Sequence, residues 1–123
     1  MEKPIIEKRV ELGMLLDFYG PLLSERRREV MQMYFGEDMS LQEIADTLGI
    51  SRQAVHDLEK SASQQLYKHE EALGLLERYR RFEQEIQKCT DLVKQVKGAD
   101  EDDRQTLKEI KSTLERIDLL ETE

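Results

Sequence analysis

At 123 residues, with 38% hydrophobic and 37% charged residues and no Trp, the chain has material for one small domain, alone or with an extension, and for a thin core under a large solvated surface. Its formal net charge of −8 argues against generic attraction to nucleic acid or anionic membrane; residues 1–67 hold 8 Lys/Arg against 12 Asp/Glu and residues 68–123 hold 11 against 15, so neither half is basic. Cys89, the only cysteine, excludes an intrachain disulfide and a two-cysteine metal site, and without an apolar run of signal-peptide or membrane-spanning length the expected compartment is the cytoplasm, with no membrane insertion.

From Ile5 to Tyr19 the apolar residues Ile6, Val10, Leu12, Leu15, Leu16 and Tyr19 recur at helical spacing. Gly20-Pro21 ends that helix, with Gly just past it and Pro beyond. Ser24 is an N-cap for a second helix, Glu25 to about Phe35, whose inner side carries Val30, Met33 and Tyr34. Gly36-Glu37-Asp38 makes the next turn. Ser40 and Glu43 then have the S-x-x-E spacing of a capping box, in which each side chain satisfies the other residue's free backbone N–H. The short helix that follows runs through Leu48. Gly49 sits where a left-handed residue is wanted, and Ser51 caps another helix. Two helices about a tight glycine turn make a helix-turn-helix.

Beyond Ser51 the pattern stays helical, and Gly74 is its one weak point before Gly98. A single long helix and a break near Gly74 both satisfy the pattern; the break is the favoured reading, since an interior glycine costs about 1 kcal/mol. Ala72, Leu75, Tyr79, Phe82, Ile86, Cys89, Val93 and Val96 alternate spacings of three and four, a heptad seam. After Gly98-Ala99-Asp100 a second stripe carries Leu107, Ile110, Leu114, Ile117 and Leu120. The expected fold is all-α: a helix-turn-helix domain over residues 1–70 and a helical hairpin over 71–123. The hairpin's second arm is too short to cover the whole seam, so the remainder must pack on the first domain or on a second copy. A homodimer is the favoured outcome.

The stretch Leu41-x-x-Ile44-Ala45-x-x-Leu48-Gly49-Ile50-Ser51-x-x-x-Val55 resembles sigma-factor region 4. Leu41, Ile44 and Leu48 face inward, Ala45 is small where the second helix crosses closely, Ile50 plugs the angle, and Val55 packs back. Leu23-Ser24-Glu25-Arg26-x-x-x-Val30 looks like the lead-in helix of that family, and Ala62 and Leu66 extend the likeness. Nearly end to end, the chain also resembles the YlxM-like helix-turn-helix proteins of Gram-positive bacteria, through the run from Glu7 to Gly20, the segment Ser51 to Asp57 and the acidic helical tail. What that resemblance implies is a protein encoded beside the signal recognition particle genes, with a regulatory role in that pathway.

A DNA reader of this kind places Arg52, Gln53 and His56 against base edges and Lys60 on a phosphate, with Arg suited to guanine and Gln to adenine in the major groove, and Ser51 is counted among the DNA-binding residues. Arg26, Arg27 and Arg28 fan round the lead-in helix and cannot all face one ligand; a solvated helix start is the favoured reading of the run, and a phosphate contact by one or two of them the alternative, with Arg27 counted among the DNA-binding residues. Asp57 and Glu59 break the positive face, the feature that favours the rival reading: an adaptor docking a basic partner such as a signal recognition particle component. Cys89, on the seam, is expected to be a buried small hydrophobe, and His69 a surface residue. Asp100 to Asp103 is read as a helix start, not a calcium loop. No nucleophile is paired with a base and no Gly-rich loop cradles phosphate, so neither an enzyme nor a cofactor is expected.

Overall fold

The computed structural model describes residues 5–119, which form six α-helices, and no strand occurs among them. They are α1 (Ile5–Tyr19), α2 (Glu25–Met31), α3 (Leu41–Leu48), α4 (Arg52–Leu73), α5 (Leu75–Gln95) and α6 (Glu101–Leu119). The chain divides into two compact units, Met1–Leu76 and Glu77–Glu123.

Local chemistry sets most helix ends in the first unit. Gly20-Pro21-Leu22 tightens α1 into a 3₁₀ turn, and the Ser24 side chain accepts from the Arg27 backbone N–H to start α2. That helix does not run to Phe35 as α-helix: from Gln32 to Gly36 the backbone widens into a π-helical turn. Met33 and Tyr34, on the inner side with Val30 as expected, pack against the core of Val30, Ile44, Ala45 and Val55, beside Met39, Leu41, Leu48, Ile50 and Leu58. Arg9 of α1 fastens the turn by donating to the Tyr34 carbonyl (3.1 Å) and to Asp38 (3.3 Å), its guanidinium 4.8 and 4.9 Å from the Tyr34 and Phe35 ring centres. The reciprocal Ser40–Glu43 capping box is formed, at 3.1 and 3.2 Å.

The first helix corrects one expectation. Leu12, Leu15 and Tyr19 are buried, but Ile6 and Val10 are 78% and 59% exposed. The helix is apolar on more than one side, so spacing alone does not say which side meets α4. Met31, absent from the expected inner face, is fully buried.

Gly74 breaks the long helix. It takes a left-handed φ of 62° and its N–H bonds the Glu70 carbonyl at 2.8 Å. A clamp of side chains holds this corner. The buried Tyr19 hydroxyl donates to Glu70 Oε1 (2.8 Å) and accepts from the Leu75 N–H (3.1 Å), while the Leu76 N–H donates to the same Glu70 oxygen (2.9 Å). His69, expected at the surface, packs its ring 5.8 Å from that of Tyr19. Burial, and then the bond to Glu70, push the Tyr19 hydroxyl above the ordinary 10.0. A Tyr19→Phe protein should be less stable by about 1–3 kcal/mol, because the Leu75 N–H and Glu70 each lose a partner. The folded state holds the Tyr19 proton more tightly than the unfolded chain does. Stability from that source is therefore complete below pH ~10 and lost as pH rises through the folded pKa. Urea unfolding of both proteins across pH 7 to about 11 should show the gap between them narrowing at the alkaline end.

In the second unit the Asp100 side chain accepts from the Asp103 N–H at 2.8 Å, capping α6. The seam on α5 is split lengthwise. Ile86 is buried and Tyr79 and Val93 are half-buried, whereas Leu75, Phe82, Cys89 and Val96 are exposed, Phe82 by 48%. Cys89 is thus not the buried hydrophobe expected from its place in the heptad. On α6, Leu107 and Leu114 are half-buried and Ile110 is exposed; the Ile117 side chain and Leu120 lie outside the described residues. Between α5 and α6 runs a charged cavity of about 580 Å³ that includes Arg80, Glu83, Ile86, Lys94, Lys111 and Glu115. Among the described residues no helix is long and apolar enough to cross a membrane.

Candidate nucleic-acid interface

The α3–α4 corner is built from the turn outward. Gly49 adopts φ 68°, and the N–H groups of Gly49 and Ile50 both reach the Ala45 carbonyl, the latter at 3.1 Å. A Cβ on Gly49 would meet nothing within 4 Å, so glycine is needed there for its backbone angle and not for space. Ala45 is buried where the helices cross, and Ile44 and Val55 are sealed from solvent on either side. Burying Val55, Ala62 and Leu66 along one side of α4 turns the opposite side outward. That outer side carries Arg52, Gln53, His56, Asp57 and Lys60, all exposed.

Three of the sequence-derived residues meet at one place. Arg52, Gln53 and His56 line, with Leu41, an open concavity of about 370 Å³ at the start of α4. Lys60 is exposed two turns further on, about 12 Å along the axis. Ser51 has a structural task, its Oγ accepting from the Ala54 N–H at 3.0 Å as the N-cap. Arg27 comes from α2 and is half-buried; its Nε donates to Ser61 of α4 at 3.0 Å and its Nη1 to Ser24 at 3.1 Å. These bonds hold its charge beside α4. Its neighbours in sequence point elsewhere, Arg26 to Glu29 (3.6 Å) and Arg28 across Gly20.

The acids on this helix differ in what they do. Glu59 is half-buried and accepts from Ser63 at 3.0 Å. Asp57, 67% exposed, accepts from Gln53 Nε2 at 3.0 Å and lies 3.8 Å from His56 Nδ1, an ion pair when that ring is protonated. In the sequence Asp57 reads as an interruption of the positive face, but Gln53-x-x-x-Asp57 also has the i,i+4 spacing at which a Gln–Asp hydrogen bond forms on a helix. No sequence signal points to Ser61 as the partner of Arg27. Arg52 stands in the first turn of α4, where the helix dipole disfavours a cation. An external anion would relieve that cost.

Among the described residues no group of His, Cys, Asp and Glu is arranged to hold a metal ion. The arrangement is an exposed helix presenting donors in a row, flanked by cations, with no reacting group set against a base.

Residues 6–113 match the family described as "Putative helix-turn-helix protein, YlxM / p13 like". A protein of Clostridium botulinum with the name UPF0122 protein is 40% identical over 104 residues, covering 85% of this chain and 95% of its own. Another of that name, from Geobacillus kaustophilus, is 40% identical over 96 residues, 78% of this chain and 87% of its own. One from Symbiobacterium thermophilum reaches 47% identity over 70 residues, 57% of this chain and 65% of its own.

Proposed function

The chain belongs to the UPF0122 family of YlxM / p13-like helix-turn-helix proteins, and on that premise we propose that it is a cytoplasmic regulatory protein that binds double-stranded DNA through the outer side of α4, with a link to the signal recognition particle pathway. The observation that carries this reading is the convergence of Arg52, Gln53 and His56 on one concavity at the start of a helix held outward by a formed helix-turn-helix. The first turns of such a helix are those that reach base edges in the major groove. Arg27 and Lys60 serve as phosphate contacts, Arg27 through its fixed position against Ser61. Residues 1–70 form the reading domain and 71–123 the self-association segment. The exposed column Leu75, Phe82 and Cys89 on α5, with Val96 just past its end, favours a homodimer, which doubles a small set of cations into a workable footprint.

The test is a titration of labelled duplexes, the gene's own upstream region among them, at about 50 mM and near 150 mM salt. One fragment should bind well above the others, and changing Arg52 and Gln53 together to Ala should weaken that binding roughly tenfold or more. Absence of binding to every duplex at the lower salt sinks the DNA reading.

A second reading draws on Asp57, which places a mostly exposed carboxylate in the middle of the face. It makes the protein an adaptor for a basic partner such as a signal recognition particle component. Under that reading Asp57→Lys weakens partner binding and no duplex competes for the face.

A further inference from the structure

A carboxylate at position 57 lowers the attraction of α4 for phosphate, but its contacts organise what remains. Asp57 Oδ1 receives a hydrogen bond from Gln53 Nε2 at 3.0 Å, and both residues lie on the exposed side of the helix. An ionised carboxylate only accepts, whereas a carboxamide has a donating half and an accepting half. The pairing therefore decides which way the Gln53 carboxamide is turned: Nε2 toward Asp57 and Oε1 away from it. Nε2 has a second N–H. That N–H and Oε1 together form a donor–acceptor pair of the kind that matches N7 and N6 of adenine in the major groove.

We propose that Asp57 is a positioning residue that locks the orientation of Gln53 and so makes the α4 face selective for adenine at the base pair Gln53 meets. The inference rests on the DNA reading. It gives the carboxylate opposite effects on two quantities: Asp57 raises base discrimination and lowers overall attraction to the phosphate backbone.

Asp57→Asn separates the two. Asn has nearly the same shape, but it both donates and accepts, so Gln53 can turn either way, and the negative charge is gone. Asp57→Glu keeps the acceptor-only chemistry. The experiment recovers bound duplexes from a randomised pool with full-length wild type, Asp57→Asn, Asp57→Glu and Gln53→Ala proteins, and measures the affinity of each for one unrelated duplex. Wild type should prefer adenine at one position on the order of tenfold, and Gln53→Ala should abolish that preference. Asp57→Asn should reduce it to about twofold while binding the unrelated duplex several-fold more tightly at about 50 mM salt. Asp57→Glu should retain the preference.

An Asp57→Asn protein that keeps the wild-type preference overturns the inference, as does one that loses affinity and preference together, which is the mark of a merely structural role. Wild-type binding without base preference also overturns it, with DNA binding still standing. A wild type that binds no duplex overturns the reading beneath it.

Discussion

Replacing Ile44 by Ala should destabilise the first unit by about 2–5 kcal/mol, the cost of a large-to-small change at a fully buried site. Ile44 is 0% exposed and stands in the core cluster with Val30, Ala45 and Val55, each from a helix that frames the α3–α4 corner. Because neighbouring backbone is fixed by the caps at Ser40, Gly49 and Ser51, the cavity left behind cannot collapse freely. For a unit of this size that loss lowers Tm by roughly 10–30 °C. Ile6→Ala, an identical chemical change on the exposed side of α1, should cost no more than about 0.5 kcal/mol. Thermal and urea unfolding of the two variants beside wild type checks both values. Equal losses from Ile44 and Ile6 would show that the helix-turn-helix core is not where the structure puts it.

Raising salt from about 50 to 200 mM should reduce duplex binding about 12-fold if a single head acts, with Arg27 and Lys60 each neutralising one phosphate. Two heads on one duplex double the released counterions and turn the same salt change into a loss of roughly 150-fold. The slope of affinity against salt thus reads out the number of heads without a structure of the complex. Light scattering at micromolar concentration gives an independent answer, and a monomer there, with the shallow slope, sinks the homodimer. Exchanging Phe82 on the exposed column of α5 and Val96 just past its end for Glu should convert a steep slope to the shallow one while leaving helix content unchanged.

What was legible in the sequence is what depends on residues three to five apart. The N-caps at Ser24, Ser40 and Ser51, the capping box with Glu43, the glycine turn at Gly49 and the break at Gly74 all appear in the structure where spacing put them, because each is closed by a side chain or backbone group within one helical turn. The candidate residues Arg52, Gln53 and His56 were legible for the same reason: once the start of α4 and its buried side are known, the opposite side follows from 3.6 residues per turn.

Other features depend on contacts that local pattern does not encode. The Tyr19–Glu70 clamp joins residues 51 apart, and the Arg27–Ser61 bond joins residues 34 apart. A heptad specifies two apolar columns but not how many neighbours are present to cover them, so Ile86 and Cys89 look equivalent in the seam and end up on opposite sides of burial. In α1, apolar residues on several sides leave the choice of inner face to whichever side α4 and the π-helical turn happen to meet. By itself, then, the sequence determined that this protein is all-α, where the helices capped by Ser24, Ser40 and Ser51 begin, and that it carries a helix-turn-helix, since these follow from short-range bonding and periodicity. Only the tertiary structure decided which apolar sides are covered and that Arg27 is held against the reading helix, because those outcomes are settled by packing between segments distant in the chain.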